Sequence, residues 1–188
     1  MANRPKTDTI AFAYGRFNPP TIGHQKLIEA VKDKAGQNNW LIFPSRSNDP
    51  KKNPLKFDVK VSYMKRIFSD YKEYIHAGDE NRLLITALQY LQDKDYKQVI
   101  LCCGSDRVAG YTSMFERTHG KDFTFQSWEV HNIGERDPDG DEISAMSASL
   151  MREAAKLQRT ETFINGIPGD DLELKSDLMA EVRKGMGL

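Results

Sequence analysis

Residues Thr9 to Gly36, TIAFAYGRFNPPTIGHQKLIEAVKDKAG, decide how the rest of the chain is read. Ile10 to Tyr14 is a short apolar run, the pattern of a buried strand. Gly15 interrupts it, and Pro19 and Pro20 forbid helix. Gly23-His24 then opens a segment with Leu27, Ile28 and Val31 at helical spacing, and Gly36 is a natural stop. The unit is strand, tight turn, helix. Gly15 lets backbone approach a ligand, and a helix N-terminus at Gly23-His24 offers N–H groups and a positive dipole end to an anion. Arg16 and His24 add side-chain donors on both flanks. The same residues would also serve an ordinary βα loop, so this stretch alone does not decide function.

The chain of 188 residues is long enough for one domain with a sizeable core. Lys plus Arg and Asp plus Glu are both 27, so no global field favours nucleic acid or a membrane surface as partner. Hydrophobic residues make up 39%, with no apolar run long enough to span a bilayer. The start, MANRPKTDT, lacks the apolar centre of a signal peptide. Cys102 and Cys103 are adjacent in an apolar run and read as buried thiols, not as a bridge. A soluble cytoplasmic protein is expected, in the host cytoplasm if the source is viral.

Working outward, Trp40 to Pro44 reads as a second buried strand and Ser45 to Lys56 (SRSNDPKKNPLK) as a loop. A helix is expected over Asp58 to Asp70, capped by the Asp. A short strand is expected over Tyr74 to Ala77, and another helix over Asn81 to Asp93. Val99 to Cys103 is the third strong strand, ending at Gly104-Ser105-Asp106. Arg107 to Arg117 is expected to be helical, with Val108, Tyr111 and Phe115 inward. Asp122 to Ile133 alternates as one or two strands, offering Phe123, Phe125 and Trp128 to a core or a pocket. After an acidic turn, Gly134 to Glu142, a helix starts at Met146-Ser147-Ala148-Ser149 and runs to about Leu157. A Gly-Pro-Gly break at Gly166 to Gly169 precedes a last amphipathic helix, whose stripe Leu174, Leu178, Val182 is expected to cover the sheet.

Strands alternating with helices indicate an α/β fold with a mainly parallel, Rossmann-like sheet flanked by helices. A single domain is expected, with a core from about residue 8 to 157 and a helical tail from about 158 to 188. Such sheets bind ligands beyond the carboxyl ends of their strands. Three marked turns fall at strand ends: Gly15 to His24, Ser45 to Lys56, and Gly104 to Asp106.

The second helix start repeats the chemistry of the first. Ser147 and Ser149 place hydroxyls at a helix dipole, with Arg152 one turn on; an N-cap serine beside a solvated Arg is the simpler use of the same residues. Lys51 and Lys52 also suit plain solvation, and Asp106 could cap a helix or accept from ribose hydroxyls. Together Arg16, His24, Lys51, Lys52, Arg152 and two helix N-termini form a cationic set suited to polyphosphate. Other chemistries lack their residues. The chain has no GxxxxGK[ST], no GxGxxG after the first strand and no GxSxG. Asp137, Asp139 and Asp141 miss the calcium-loop pattern, because Gly140 is misplaced and Ala148 stands where the closing Glu belongs. His24, His76, His119 and His131 lack metal-ligand spacing.

Gly15-Arg16-Phe17-Asn18-Pro19-Pro20-Thr21-Ile22-Gly23-His24 resembles the first signature of the nucleotidylyltransferases, G-x-F-x-P-x-[HT]-x-G-H. Met146-Ser147-Ala148-Ser149-Leu150-Met151-Arg152 resembles their second, I-S-[ST]-[ST]-x-x-[RK]. Val99 to Asp106 is similar to the strand-Gly-x-Asp of nicotinamide mononucleotide adenylyltransferases. Lys51-Lys52-Asn53-Pro54 is similar to the lysine loop of phosphopantetheine adenylyltransferases. The overall style resembles that of the compact versions encoded by tailed bacteriophages.

The resemblance implies transfer of a nucleotidyl group from ATP or CTP to a phosphate-bearing acceptor, with Mg²⁺ on the phosphates and release of pyrophosphate. It implies that His24 bonds the α-phosphate, while Thr21 takes the place of a first histidine. Within the same motif Gly15, Phe17 and Gly23 shape the nucleotide site, and Arg16 adds a charge. Arg152 with Ser147 and Ser149 would hold the β- and γ-phosphates. Lys51 or Lys52 would neutralise the acceptor phosphate, and Gly104 and Asp106 would lie near the ATP ribose. In-line attack by a phosphate oxygen needs positioning and charge stabilisation, not a protein nucleophile. Ala148 removes one hydroxyl from the second signature, Met146 replaces the usual Ile, and Thr21 leaves one histidine instead of two.

The favoured activity is adenylyl transfer to nicotinamide mononucleotide, giving NAD. Phosphopantetheine follows, and then a cytidylyltransferase acting on a phospho-alcohol. From another class comes a catalytically silent nucleotide-binding module with a regulatory or virion-assembly role. Oligomeric state stays open, a homo-oligomer being common in the family.

Overall fold

The computed structural model describes residues 7–134 and 147–188. The acidic turn beyond Gly134 and Met146 lie outside them. Four parallel strands form one sheet: β1 (Thr9–Gly15), β2 (Asn39–Pro44), β3 (Gln98–Cys103) and β4 (Ser127–Asn132), in the order β2-β1-β3-β4. β1 and β3 pair with Phe12 beside Leu101, and β3 and β4 with Cys103 beside Asn132. A central parallel strand is covered on both faces, which is why Ile10 to Ala13 and Leu101 to Cys103 are continuous apolar runs. Burial pushes the Cys102 thiol up to about 12 and that of Cys103 up to about 11, as expected of unreactive core thiols. The strand order reverses between β1 and β3, so the carboxyl ends at Gly15 and Cys103 mark the switch point of the sheet.

The chain divides into two compact units: Met1–Gly15, Leu27–Phe43 and Glu73–Arg136 in the first, Arg16–Lys26, Pro44–Lys72 and Asp137–Leu188 in the second. Helix α1 (Ile22–Ala35) belongs to both, and ends at Gly36 in the left-handed conformation, φ +57°.

The first unit is built on the sheet. Phe12, Phe43, Leu88, Leu91, Phe115 and Phe123 anchor its apolar cluster. Helices α3 (Leu84–Asp93) and α4 (Ser105–Thr118) supply its helical members. Burial raises the Tyr14 phenol to about 12, and its hydroxyl donates to the carbonyls of Asn81 and Arg82, both at 3.1 Å. Only one strand forms between Asp122 and Ile133: Phe123 and Phe125 are buried before it begins, and Trp128 on it stacks against Phe115 at 4.9 Å. The expected strand at Tyr74 to Ala77 is absent. That segment makes a single bridge, Ile75 to Ile42, because Ser69–Tyr74 coils as a 3₁₀ turn whose Tyr74 ring stacks on Trp40 at 3.8 Å.

The second unit is helical: α2 (Phe57–Ile67), α5 (Ala148–Lys156), α6 (Thr160–Asn165) and α7 (Leu172–Gly185). Asp58 is not the cap of α2. Lys56 occupies that position and Asp58 lies in the first turn, where its charge still suits the helix dipole. The α7 stripe is buried within this unit, where the expectation was the sheet. Leu174, Leu178 and Val182 pack with Met151, Ala154 and Phe163 in a cluster of helices, because burying an apolar stripe requires a partner face of any kind. No helix among the described residues is long and apolar enough to cross a membrane.

Candidate functional site

In the second unit the turn that leads into α1 is wound tightly around buried side chains. Phe17 takes a left-handed φ of +48° and is fully buried, with its ring 4.7 Å from that of His24. Thr21 stands just before the helix, and its carbonyl accepts from the N–H groups of His24 and Gln25. In return the Thr21 backbone N–H donates to His24 Nδ1 at 3.1 Å, with the Thr21 hydroxyl 3.0 Å from the same nitrogen. A backbone donor on Nδ1 leaves the neutral imidazole its proton on Nε2. Thr21 therefore does for this ring what an orienting partner must, by fixing which nitrogen can donate.

Helix α1 is only partly open to an anion. The Ile22 N–H is taken by the Gly166 carbonyl at 3.0 Å, while the Gly23 N–H has no partner among the described residues. At α5 the Ser147 hydroxyl accepts from the Leu150 N–H at 3.2 Å, the ordinary N-cap use of that serine. Arg152 projects from the same helix. Its Nη1 donates to the Asn18 carbonyl at 2.8 Å and its Nη2 to the Ser149 hydroxyl at 2.9 Å. Burial, and after it the charge of Arg16, lowers the Arg152 guanidinium from its usual value, with Asp49 acting the other way. A partly desolvated guanidinium with a second, exposed cation acting on it is a poor arrangement without an anion and a good one with it.

The loop from Ser45 to Lys56 is knitted from within. Asp49 Oδ1 accepts from the backbone N–H groups of Lys51 (3.0 Å) and Lys52 (2.7 Å), and Oδ2 from the Asn53 amide at 2.6 Å. These bonds, that from the Lys52 N–H first, lower the Asp49 carboxyl below its usual value. The turn leaves Lys51 and Lys52 exposed at its tip. Asn18 then ties the far end of this loop: its Nδ2 donates to the Leu55 carbonyl and its Oδ1 accepts from the Leu55 N–H, both at 3.0 Å and buried.

Of the residues expected at the site, Arg16, Phe17, Thr21, Gly23, His24, Lys51, Lys52, Ser147, Ser149 and Arg152 belong to the second unit. Gly15, Gly104 and Asp106 belong to the first. There α4 begins at Ser105, two residues before the expected start, so Gly104 is its N-cap and Asp106 sits in its first turn. Asp106 lines a cavity of about 410 Å³ with Leu83, Leu84, Arg107, Tyr111 and Met114. Trp128 does not line it. Sequence reasoning missed Asn18 and Asp49, whose roles are side-chain bonds to backbone across a loop. For Asp49 the signal was an Asx-turn pattern ahead of Lys51-Lys52; for Asn18 there was none.

Residues 12–122 match the cytidylyltransferase-like family. The matched region holds His24, Lys51, Lys52 and Asp106, and the second signature lies beyond it. A protein of Sulfurimonas denitrificans named "Probable nicotinate-nucleotide adenylyltransferase" is 32% identical over 109 residues, covering 54% of this chain. The match spans 59% of that relative's length. The family match takes in more than half of the chain, over a parallel α/β sheet with the first signature at the end of β1, and the chain belongs to the cytidylyltransferase-like family.

Proposed function

We propose that the protein is an adenylyltransferase that transfers AMP from ATP to the phosphate of a pyridine mononucleotide and releases pyrophosphate. One observation carries this reading: a histidine held as an Nε2–H donor by Thr21 in the same unit as an arginine anchored on Asn18 and Ser149. In this account His24 Nε2–H bonds an α-phosphate oxygen and stabilises the charge that develops there. Arg152, the Ser149 hydroxyl and the helix N-terminus at Ala148 hold the β- and γ-phosphates. Lys51 and Lys52 meet the phosphate of the acceptor. Nicotinamide mononucleotide is the acceptor favoured by the sequence, and the relative's name adds nicotinate mononucleotide. Mg²⁺ would enter bound to the phosphates of the triphosphate and neutralise their charge.

The test is pyrophosphate release with ATP or CTP, Mg²⁺ and each of nicotinamide mononucleotide, nicotinate mononucleotide, phosphopantetheine and a phospho-alcohol. Turnover with ATP and a pyridine mononucleotide supports the reading. Turnover only with CTP and a phospho-alcohol replaces it with a cytidylyltransferase, and nucleotide binding without any turnover replaces it with a binding module.

A further inference from the structure

Lys60, in the first turns of α2, is a charged side chain with 0% exposure. Its ammonium carries three donors, and among the described residues it has one acceptor, the carbonyl of Ser45. No carboxylate pairs with it among the described residues; the Phe57 ring lies 5.8 Å from Nζ, and Arg46 also faces that ring at 4.0 Å. A buried cation without a counter-charge is a poor source of stability, and an apolar side chain of similar volume would fill the site at less cost. Its presence therefore calls for a local role.

The carbonyl that it holds is the first of the lysine loop. Ser45 follows β2 directly and is itself buried. At the other end of the loop the Asn18 side chain grips Leu55 in both directions, and Asp49 closes the tip beneath Lys51 and Lys52. We propose that Lys60 is a positioning residue for the acceptor: by holding the Ser45 carbonyl it fixes the near end of the loop, so that Lys51 and Lys52 stand where an incoming phosphate arrives. The proposal rests on the adenylyltransferase reading for its substrate, but its mechanical content does not.

The experiment compares full-length wild type, K60M and K60R in two ways. In steady-state kinetics K60M should raise the KM for the mononucleotide about tenfold while leaving the KM for ATP within about twofold, and K60R should restore most of the loss. Unchanged acceptor KM, or equal losses for both substrates as general loosening would give, overturns the proposal. In hydrogen exchange K60M should speed the amides of Lys51, Lys52 and Asn53 by about tenfold while the α5 amides stay as in wild type. Unchanged loop protection also overturns it. Silence of the wild type in turnover would remove the adenylyltransferase reading, and the exchange result would still decide the role of Lys60.

Discussion

Arg152 Nη1 donates to the carbonyl of Asn18 at 2.8 Å, joining α5 to the turn before α1 across 134 residues of sequence. Asn18 also grips Leu55 through its side chain, so one buried residue ties together the first signature, the second signature and the lysine loop. If Arg152 holds the triphosphate, R152A should weaken ATP binding by about 2–3 kcal/mol, the size expected of charge-assisted, partly desolvated phosphate contacts. R152K should recover only part, because a point charge cannot serve Asn18, Ser149 and a phosphate at once. Calorimetric titration with ATP checks both; unchanged affinity in R152A would remove α5 from the nucleotide site.

Asn18 itself is a stability residue before it is anything else. N18A leaves the buried N–H and C=O of Leu55 without partners, and should cost about 2–4 kcal/mol in unfolding free energy. Urea denaturation of N18A against wild type measures it. A change under about 0.5 kcal/mol would mean that water replaces the amide without penalty.

Gly185 closes α7 where a Cβ would stand 2.1 Å from the Pro54 carbonyl oxygen. Backbone cannot swing aside as a side chain can, so G185A should lower stability by about 1–3 kcal/mol. Gly110, inside α4, has open space around its Cβ position. G110A should therefore raise stability by about 0.5–1 kcal/mol through helix propensity alone. Thermal melts of the two variants should move in opposite directions.

Burial lowers the Lys60 ammonium to about 8. Between that value and the ordinary lysine range near 10.5, the unfolded chain binds the proton more readily than the folded one. Folding stability contributed by this group therefore rises with pH across that window, and its full cost is present below about pH 8. The difference in unfolding free energy between K60M and wild type should narrow by on the order of 3 kcal/mol from pH 7.5 to pH 10. A difference independent of pH would show that the ammonium is solvated in the folded state.

The strands were readable wherever the sheet buries both faces. β1, β2 and β3 are unbroken apolar runs for that reason, and Gly36 stops α1 because its φ of +57° suits glycine. Tyr74 to Ala77 has the composition of a strand, yet composition does not reveal that only Ile75 meets a neighbour. The stripe on α7 announced a buried face without naming what covers it, and α6, six residues long, is too short for a periodic signal. His24 was legible as a donor opening α1, and Thr21 through its place in the first signature, but the bond between them was not. Asn18 was not, since a side chain pairing with backbone 37 residues away leaves no trace in spacing. Lys60 was hidden differently: a lysine on a helix reads as solvated, and only packing shows it sealed against Ser45.

The central claim is that His24, held by Thr21, stabilises a nucleotidyl transfer. The most direct measurement is pyrophosphate release from ATP, Mg²⁺ and nicotinamide or nicotinate mononucleotide by wild type and H24A, with ATP affinity measured in parallel. The account predicts wild-type turnover and a fall of about 10²–10³ in kcat for H24A with ATP affinity little changed, as for loss of a donor that acts in the transition state. Equal turnover by the two proteins would contradict it.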